Sequence, residues 1–182
     1  MKRIQVVGEG GSGKTSLAAE IGVRLGLPHT ELDSIFWHPD WQESPPGKFE
    51  AQVEEIAAGE AWVVDGNYSR SRPILWQRVE TVVWLDYPLL LCLWRLLRRT
   101  SRRVFSGKML WGTNRETFGK AFLSKDSLFL YVIKTHRRRR QTYLELSASP
   151  EFAHIQFVRL RSPSETNRWL DSVTSAAGPS AG

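Results

Sequence analysis

Residues 8–15, Gly8-Glu9-Gly10-Gly11-Ser12-Gly13-Lys14-Thr15, follow the pattern G-x-x-x-x-G-K-[ST], and their flanks decide how they fold. Ile4-Gln5-Val6-Val7 in front predicts a short buried strand, and Ser16 to Leu25 behind carries apolar residues at helical spacing. Strand, glycine turn and helix in that order build a phosphate cradle. Glycines let successive N–H groups approach an anion closely, because no Cβ intervenes. The helix opening at Gly13 adds unpaired N–H groups and a positive dipole end. Lys14 suits β- and γ-phosphates, and the Thr15 hydroxyl suits Mg²⁺. The predicted nucleotide-binding set is therefore Gly8, Gly10, Gly11, Ser12, Gly13, Lys14, Thr15 and Ser16.

Gly8, Gly10 and Gly13 also satisfy G-x-G-x-x-G, with an acid, Asp33, twenty positions after Gly13. That is the spacing of a dinucleotide site. Lys14-Thr15 decides against it, because a dinucleotide needs neither group there and a magnesium-bound triphosphate needs both.

A chain of 182 residues predicts one domain with ample material for a core. The single cysteine, Cys92, excludes a disulfide framework, and within Leu89–Trp94 it predicts a buried thiol. The apolar run from Pro88 to Trp94 is too short to span a bilayer, and the N-terminus enters a strand at once. A cytoplasmic protein with no membrane partner is expected. The net charge of +6 conceals an asymmetry: residues 95–140 hold 14 of the 25 Lys and Arg against Glu116 and Asp126 alone, leaving +12 there and −6 elsewhere. A polyanion is expected against that region.

Along the chain the pattern alternates strand and helix. Predicted strands after the first are 29–33, 61–65, 81–86 and 154–160. Predicted helices cover about 49–57, 70–78, 88–103, 115–123, 127–146 and 164–173, with Ser162 or Ser164 as the last N-cap. Five apolar strands separated by helices predict an α/β fold, a parallel sheet covered on both faces. Residues 174–182, rich in Ala, Gly and Ser, predict a disordered tail. Ligands of such sheets gather at the carboxyl ends of the strands, which singles out Gly8, Asp33, Asp65, Asp86 and Arg161.

At those ends Asp65 could hold a metal-bound water, and Asp33 could orient or deprotonate an attacking hydroxyl; either could instead cap a loop. Asp86 before Tyr87-Pro88 looks structural. Arg95, Arg98, Arg99 and Arg102 fall on one helical stripe, with Leu89, Leu93, Leu96 and Leu97 predicted on the buried side. The stripe is either a solvated basic face or a phosphate contact. Trp37, His38, Pro39 and Trp41 could line an acceptor pocket or anchor a loop, and four scattered histidines give no metal spacing.

The Gly8–Thr15 loop, Leu32-Asp33 before Phe36-Trp37, Trp62 to Tyr68 and Leu85-Asp86-Tyr87-Pro88 together resemble the adenylate-kinase-related topology modulation protein family, over most of residues 2–170. The resemblance implies a three-layer P-loop NTPase fold of the nucleoside-monophosphate-kinase type, with a short lid within 101–123. It implies phosphate or adenine contacts by Arg99 and Arg103, a lid arginine at Arg115, and an adenine-holding turn at Arg161-Ser162-Pro163. The chain departs from adenylate kinases in having no Lys or Arg from Thr30 to Gly47, and in Asn67-Tyr68-Ser69-Arg70 where Pro-Arg is expected. An AMP acceptor is therefore not expected. The resulting expectation is an ATP- and Mg²⁺-dependent phosphotransferase, kinase-like toward a small molecule or a nucleotide, whose unidentified acceptor could offer a hydroxyl, with Lys14, Asp33, Arg99, Arg103 and Arg115 catalytic and Thr15 and Asp65 at the metal. The alternative is a nucleotide-dependent protein that lays residues 95–140 on nucleic acid.

Overall fold

The computed structural model describes residues 1–106, 109–110, 114–115 and 128–177, the side chains at 103–128, 174, 176 and 177 excepted. In chain order the elements are β1 (Arg3–Gly8), α1 (Lys14–Leu25), β2 (His29–Glu31), α2 (Leu32–Phe36), β3 (Trp37–His38), β4 (Gln42–Glu43), α3 (Lys48–Ala58), β5 (Trp62–Asp65), α4 (Arg72–Leu75), β6 (Thr81–Leu85), α5 (Leu89–Ser106), β7 (Met109–Leu110), β8 (Asn114–Arg115), α6 (Leu128–Ala148), β9 (Gln156–Leu160) and α7 (Pro163–Ala177).

Five strands form one sheet in the order β2-β5-β1-β6-β9, every pairing parallel. Alternation within the strands creates two cores. Val7, Trp62, Val64, Val82 and Trp84 point to one face and meet Phe49 and Val53 of α3, Leu75 of α4 and Tyr143 of α6. Ile4, Val6, Val63, Val83 and Leu85 point to the other and meet Leu17 and Ile21 of α1, Cys92 of α5 and Leu170 of α7. Each such buried side chain contributes about 1.5–3 kcal/mol, so both faces must be covered by helices. The result is the expected three-layer α/β arrangement.

Several boundaries shift. The second strand stops at Glu31, and Leu32 and Asp33 open the one-turn α2 instead of completing the strand. The 34–47 segment, whose Trp and Pro content predicts loop, carries the antiparallel β3–β4 pair. Arg115 lies in β8, paired with β7, where the spacing predicts a helix; 116–127 lie outside the described residues. The last helix takes Ser162 as its cap and continues to Ala177, so 174–177 are helical and not tail, while 178–182 lie outside the description. On α5, Cys92, Leu96 and Thr100 face the core, whereas Leu97 is exposed, contrary to the predicted buried side.

Candidate functional site

Between β1 and α1 the chain turns through left-handed conformations at Gly11 (φ +82°) and Gly13 (φ +94°). The turn passes α5 so closely that a Cβ on Gly11 would stand 2.3 Å from the Cys92 carbonyl oxygen. Only glycine fits. The Ser12 N–H donates to the Glu9 carbonyl at 3.0 Å, closing the loop. Among the described residues, no group accepts from the amides of Gly11, Gly13, Lys14, Thr15 or Ser16, and Lys14 is in no ion pair. The Ser12 Oγ is buried and also lacks a protein partner. These donors, with a half-buried ammonium beside them, fit an anionic group with several oxygens.

Parallel pairing of Val6 with Asp65 brings the end of β5 beside this loop. Asp65 is 1% exposed; its Oδ2 accepts from Thr15 Oγ1 at 2.7 Å and its Oδ1 lies 2.7 Å from His29 Nε2. The fold thus brings together the two residues expected at a metal. A hydroxyl and a carboxylate side by side form the oxygen donor set that Mg²⁺ takes. The role of His29 has no signal in the sequence, because its partner is 36 positions away. Next along, Asn67 clamps the Gly8 peptide on both sides, Oδ1 accepting from the Gly8 N–H at 3.1 Å and Nδ2 donating to the Gly8 carbonyl.

Asp33, in the first turn of α2, accepts from the Tyr68 hydroxyl at 2.6 Å, and its other carboxylate oxygen receives from none of the described residues. Tyr68 lies against Phe36 and Phe49, with ring centroids at 4.5 and 5.1 Å. Burial first, and then the Asp33 carboxylate, push its phenol far above the ordinary tyrosine range, so Tyr68 remains a donor. Trp37 and Trp41 pack edge to face at 5.8 Å. The two cations that follow Tyr68 are engaged elsewhere, Arg70 with Glu50 and Arg72 over the Trp76 ring.

The arginine stripe divides. Arg95 turns inward, donates to the Ser12 carbonyl at 3.1 Å and lies 5.5 Å over the Tyr87 ring. Arg98, Arg99 and Arg102 are exposed on α5. Arg95 is therefore a stripe member with a described contact to the loop. The side chains of Arg103 and Arg115 lie outside the described residues. Another pair belongs to the site without any local signal in the sequence. Glu9, 5% exposed inside the loop, accepts from the Gly10 N–H at 3.0 Å and pairs with Arg139 of α6, with Thr135 Oγ1 at 3.4 Å. A buried acid beside a phosphate cradle requires such a counter-charge, but the pair spans 130 positions. Ser162 and Pro163 are occupied in starting α7, the Ser162 Oγ accepting from the Glu165 N–H at 3.2 Å. Asp86 is tied to Arg159 at 2.9 Å and to Arg140 at 3.4 Å, which agrees with its structural reading.

No family model matches the chain. It is 25% identical over 130 residues to the uncharacterized protein YqaC of Bacillus subtilis (strain 168), covering 70% of this chain and 72% of that one. Among solved structures it is similar to a sugar kinase from a Janibacter species (TM-score 0.58, 16% identity, 100% of this chain and 99% of that chain). It is also similar to shikimate kinase from Acinetobacter baumannii in complex with shikimate (0.59, 16%, 97% and 92%). A third likeness is to a gluconokinase from Sinorhizobium meliloti (0.52, 16%, 96% and 94%). At these identities the likeness shows the architecture: the α/β fold of P-loop kinases.

Proposed function

We infer that the chain is an ATP-dependent phosphotransferase that delivers a phosphoryl group to the hydroxyl of a small molecule. The observation that carries this reading is the Thr15–Asp65 hydrogen bond placed at the mouth of a loop of unclaimed amides. The names of the similar structures, kinases of sugar, shikimate and gluconate, support the same class. So does the partial resemblance to the adenylate-kinase-related topology modulation family.

In this reading the amides of Gly11 and of Gly13 to Ser16, with the Lys14 ammonium, bind the phosphates of ATP, and Arg95 fixes the loop through the Ser12 carbonyl. Thr15 and Asp65 would hold Mg²⁺, which neutralises phosphate charge when bound. Asp33 receives the acceptor's proton on its open oxygen, while Tyr68 holds the other in place. The arginines at 99, 103 and 115 would close over the transferring group and exclude water. One domain over 1–173, with a lid within 101–123, completes the scheme. The acceptor carries no phosphate of the AMP type, since 30–47 offers no Lys or Arg to grip one.

The test is ADP release from MgATP across a panel of hydroxylated metabolites and nucleoside monophosphates, with and without a chelator. Turnover that needs both magnesium and one acceptor supports the reading; absence of MgATP binding by calorimetry sinks it. The nucleic-acid alternative is favoured by one observation, the exposed Arg98, Arg102, Arg137 and Arg138. It requires duplex or single-strand affinity that falls steeply with salt.

A further inference from the structure

Six of the eight large hydrophobic side chains exposed among the described residues stand on α5 and α6, two helices in mutual contact. On α5, Leu90 (80% exposed), Trp94 (56%) and Leu97 (45%) occupy positions i, i+4 and i+7. They form one apolar stripe along two turns, opposite the core-facing Cys92, Leu96 and Thr100. Exposed arginines border it: Arg102, and Arg98, whose guanidinium lies 5.6 Å over the Trp94 ring. The start of α6 repeats the combination, with Tyr131 and Ile133 exposed beside Lys134, Arg137 and Arg138. Single exposed leucines are ordinary, but a tryptophan-bearing stripe edged by arginines is a surface built for something.

We propose that this face of α5, with the start of α6, rests on an anionic lipid bilayer as a peripheral contact. Charge and apolar surface together select the occupant. A nucleic-acid backbone would take Arg98 and Arg102 but leave Leu90, Trp94 and Leu97 in water. A second copy packed face to face would bury the stripe but press like charges together. A bilayer with acidic headgroups supplies phosphate oxygens for the arginines and hydrocarbon for the stripe at the depth where tryptophan settles. Among the described residues, no helix is long and apolar enough to cross a membrane, so the contact lies at the interface. This departs from the expectation of no membrane partner.

The test is flotation of the full chain with vesicles of phosphatidylcholine, alone or mixed with phosphatidylglycerol. The expected result is co-flotation with the acidic vesicles only, weakening as salt is raised through the screening range. Replacing Leu90→Gln and Trp94→Gln together should lower vesicle binding roughly tenfold or more, since apolar burial is lost. MgATP binding and circular dichroism of that variant should stay unchanged. If the double variant fails to fold, Leu90→Gln alone, at the most exposed position, and Arg98→Glu serve in its place. No preference of the natural chain for acidic over neutral vesicles overturns the proposal. So does a Leu90→Gln/Trp94→Gln variant that binds vesicles as the natural chain does. Binding to duplex DNA without vesicle binding, or a dimer by light scattering that Leu90→Gln dissolves, overturns it in favour of those partners.

Discussion

The phosphate loop follows β1 and the Asp33 region follows β2, with β5 between them, and the two are held in different ways. The loop is fixed through its main chain: Gly11 passes the Cys92 carbonyl, Asn67 grips the Gly8 peptide, and Arg95 holds the Ser12 carbonyl. The Asp33 region hangs on a three-residue strand and a one-turn helix, and its order comes from side chains, Tyr68 on Asp33 and the Phe36–Phe49–Tyr68 cluster. A site made of backbone tolerates little change in shape. One made of side chains can change its ligand by exchanging them.

The contrast predicts a graded series. Lys14→Ala should remove turnover by about a thousandfold or more, the scale of losing a principal charge on a transferring group, while melting near the natural temperature. Asp33→Asn should lower kcat by about a hundredfold or more and leave MgATP affinity by calorimetry unchanged. If Asp33→Asn weakens nucleotide binding instead, the division between the two regions fails. Gly11→Ala should destabilise the fold by about 3 kcal/mol in urea titration, from a left-handed φ and the contact with Cys92, whereas a loop free to shift would lose far less. Tyr68→Phe should reduce kcat about tenfold through one lost hydrogen bond, again without touching nucleotide affinity.

A separate effect, on stability alone, concerns pH. Burial pushes the Cys92 thiol up to about 11 from 9.0. Below pH 9 both folded and unfolded thiols keep their protons. Between 9 and about 11 the unfolded thiol loses its proton first, so stability falls by at most about 1.4 kcal/mol per pH unit. Tyr68, Tyr87 and Tyr143, also raised by burial, add to the loss from pH 10 upward. Cys92→Ala should flatten the stability curve between pH 9 and 10, followed by chemical denaturation; a decline that persists there would assign it to another group.

The same contrast decides which features are legible in the chain's own residues. The loop is legible because its geometry demands glycines, a lysine and a hydroxyl at fixed spacing, and because Ile4–Val7 and Ser16–Leu25 declare their periods. Four of the five sheet strands are legible as apolar runs, whereas β2, His29–Glu31, contains no apolar residue. Asp33 lies one element later than the pattern predicts, since nothing local separates the end of β2 from the first turn of α2. Leu97 is predicted in the core but exposed, because helical spacing alone cannot tell which of two apolar stripes a helix will bury. Glu9 with Arg139, and His29 with Asp65, escape detection because each is a meeting across the fold between residues that carry no pattern by themselves.

The grip of Asn67 on Gly8 has a slower implication. A side-chain amide there performs the task of a strand neighbour, giving and receiving in the manner of one more rung on the ladder. Spontaneous hydrolysis of that amide in an ageing molecule would replace the Nδ2 donor by an acceptor facing the Gly8 carbonyl and set a new negative charge at the rim of the anion cradle. Old protein would then lose nucleotide affinity before it lost its shape.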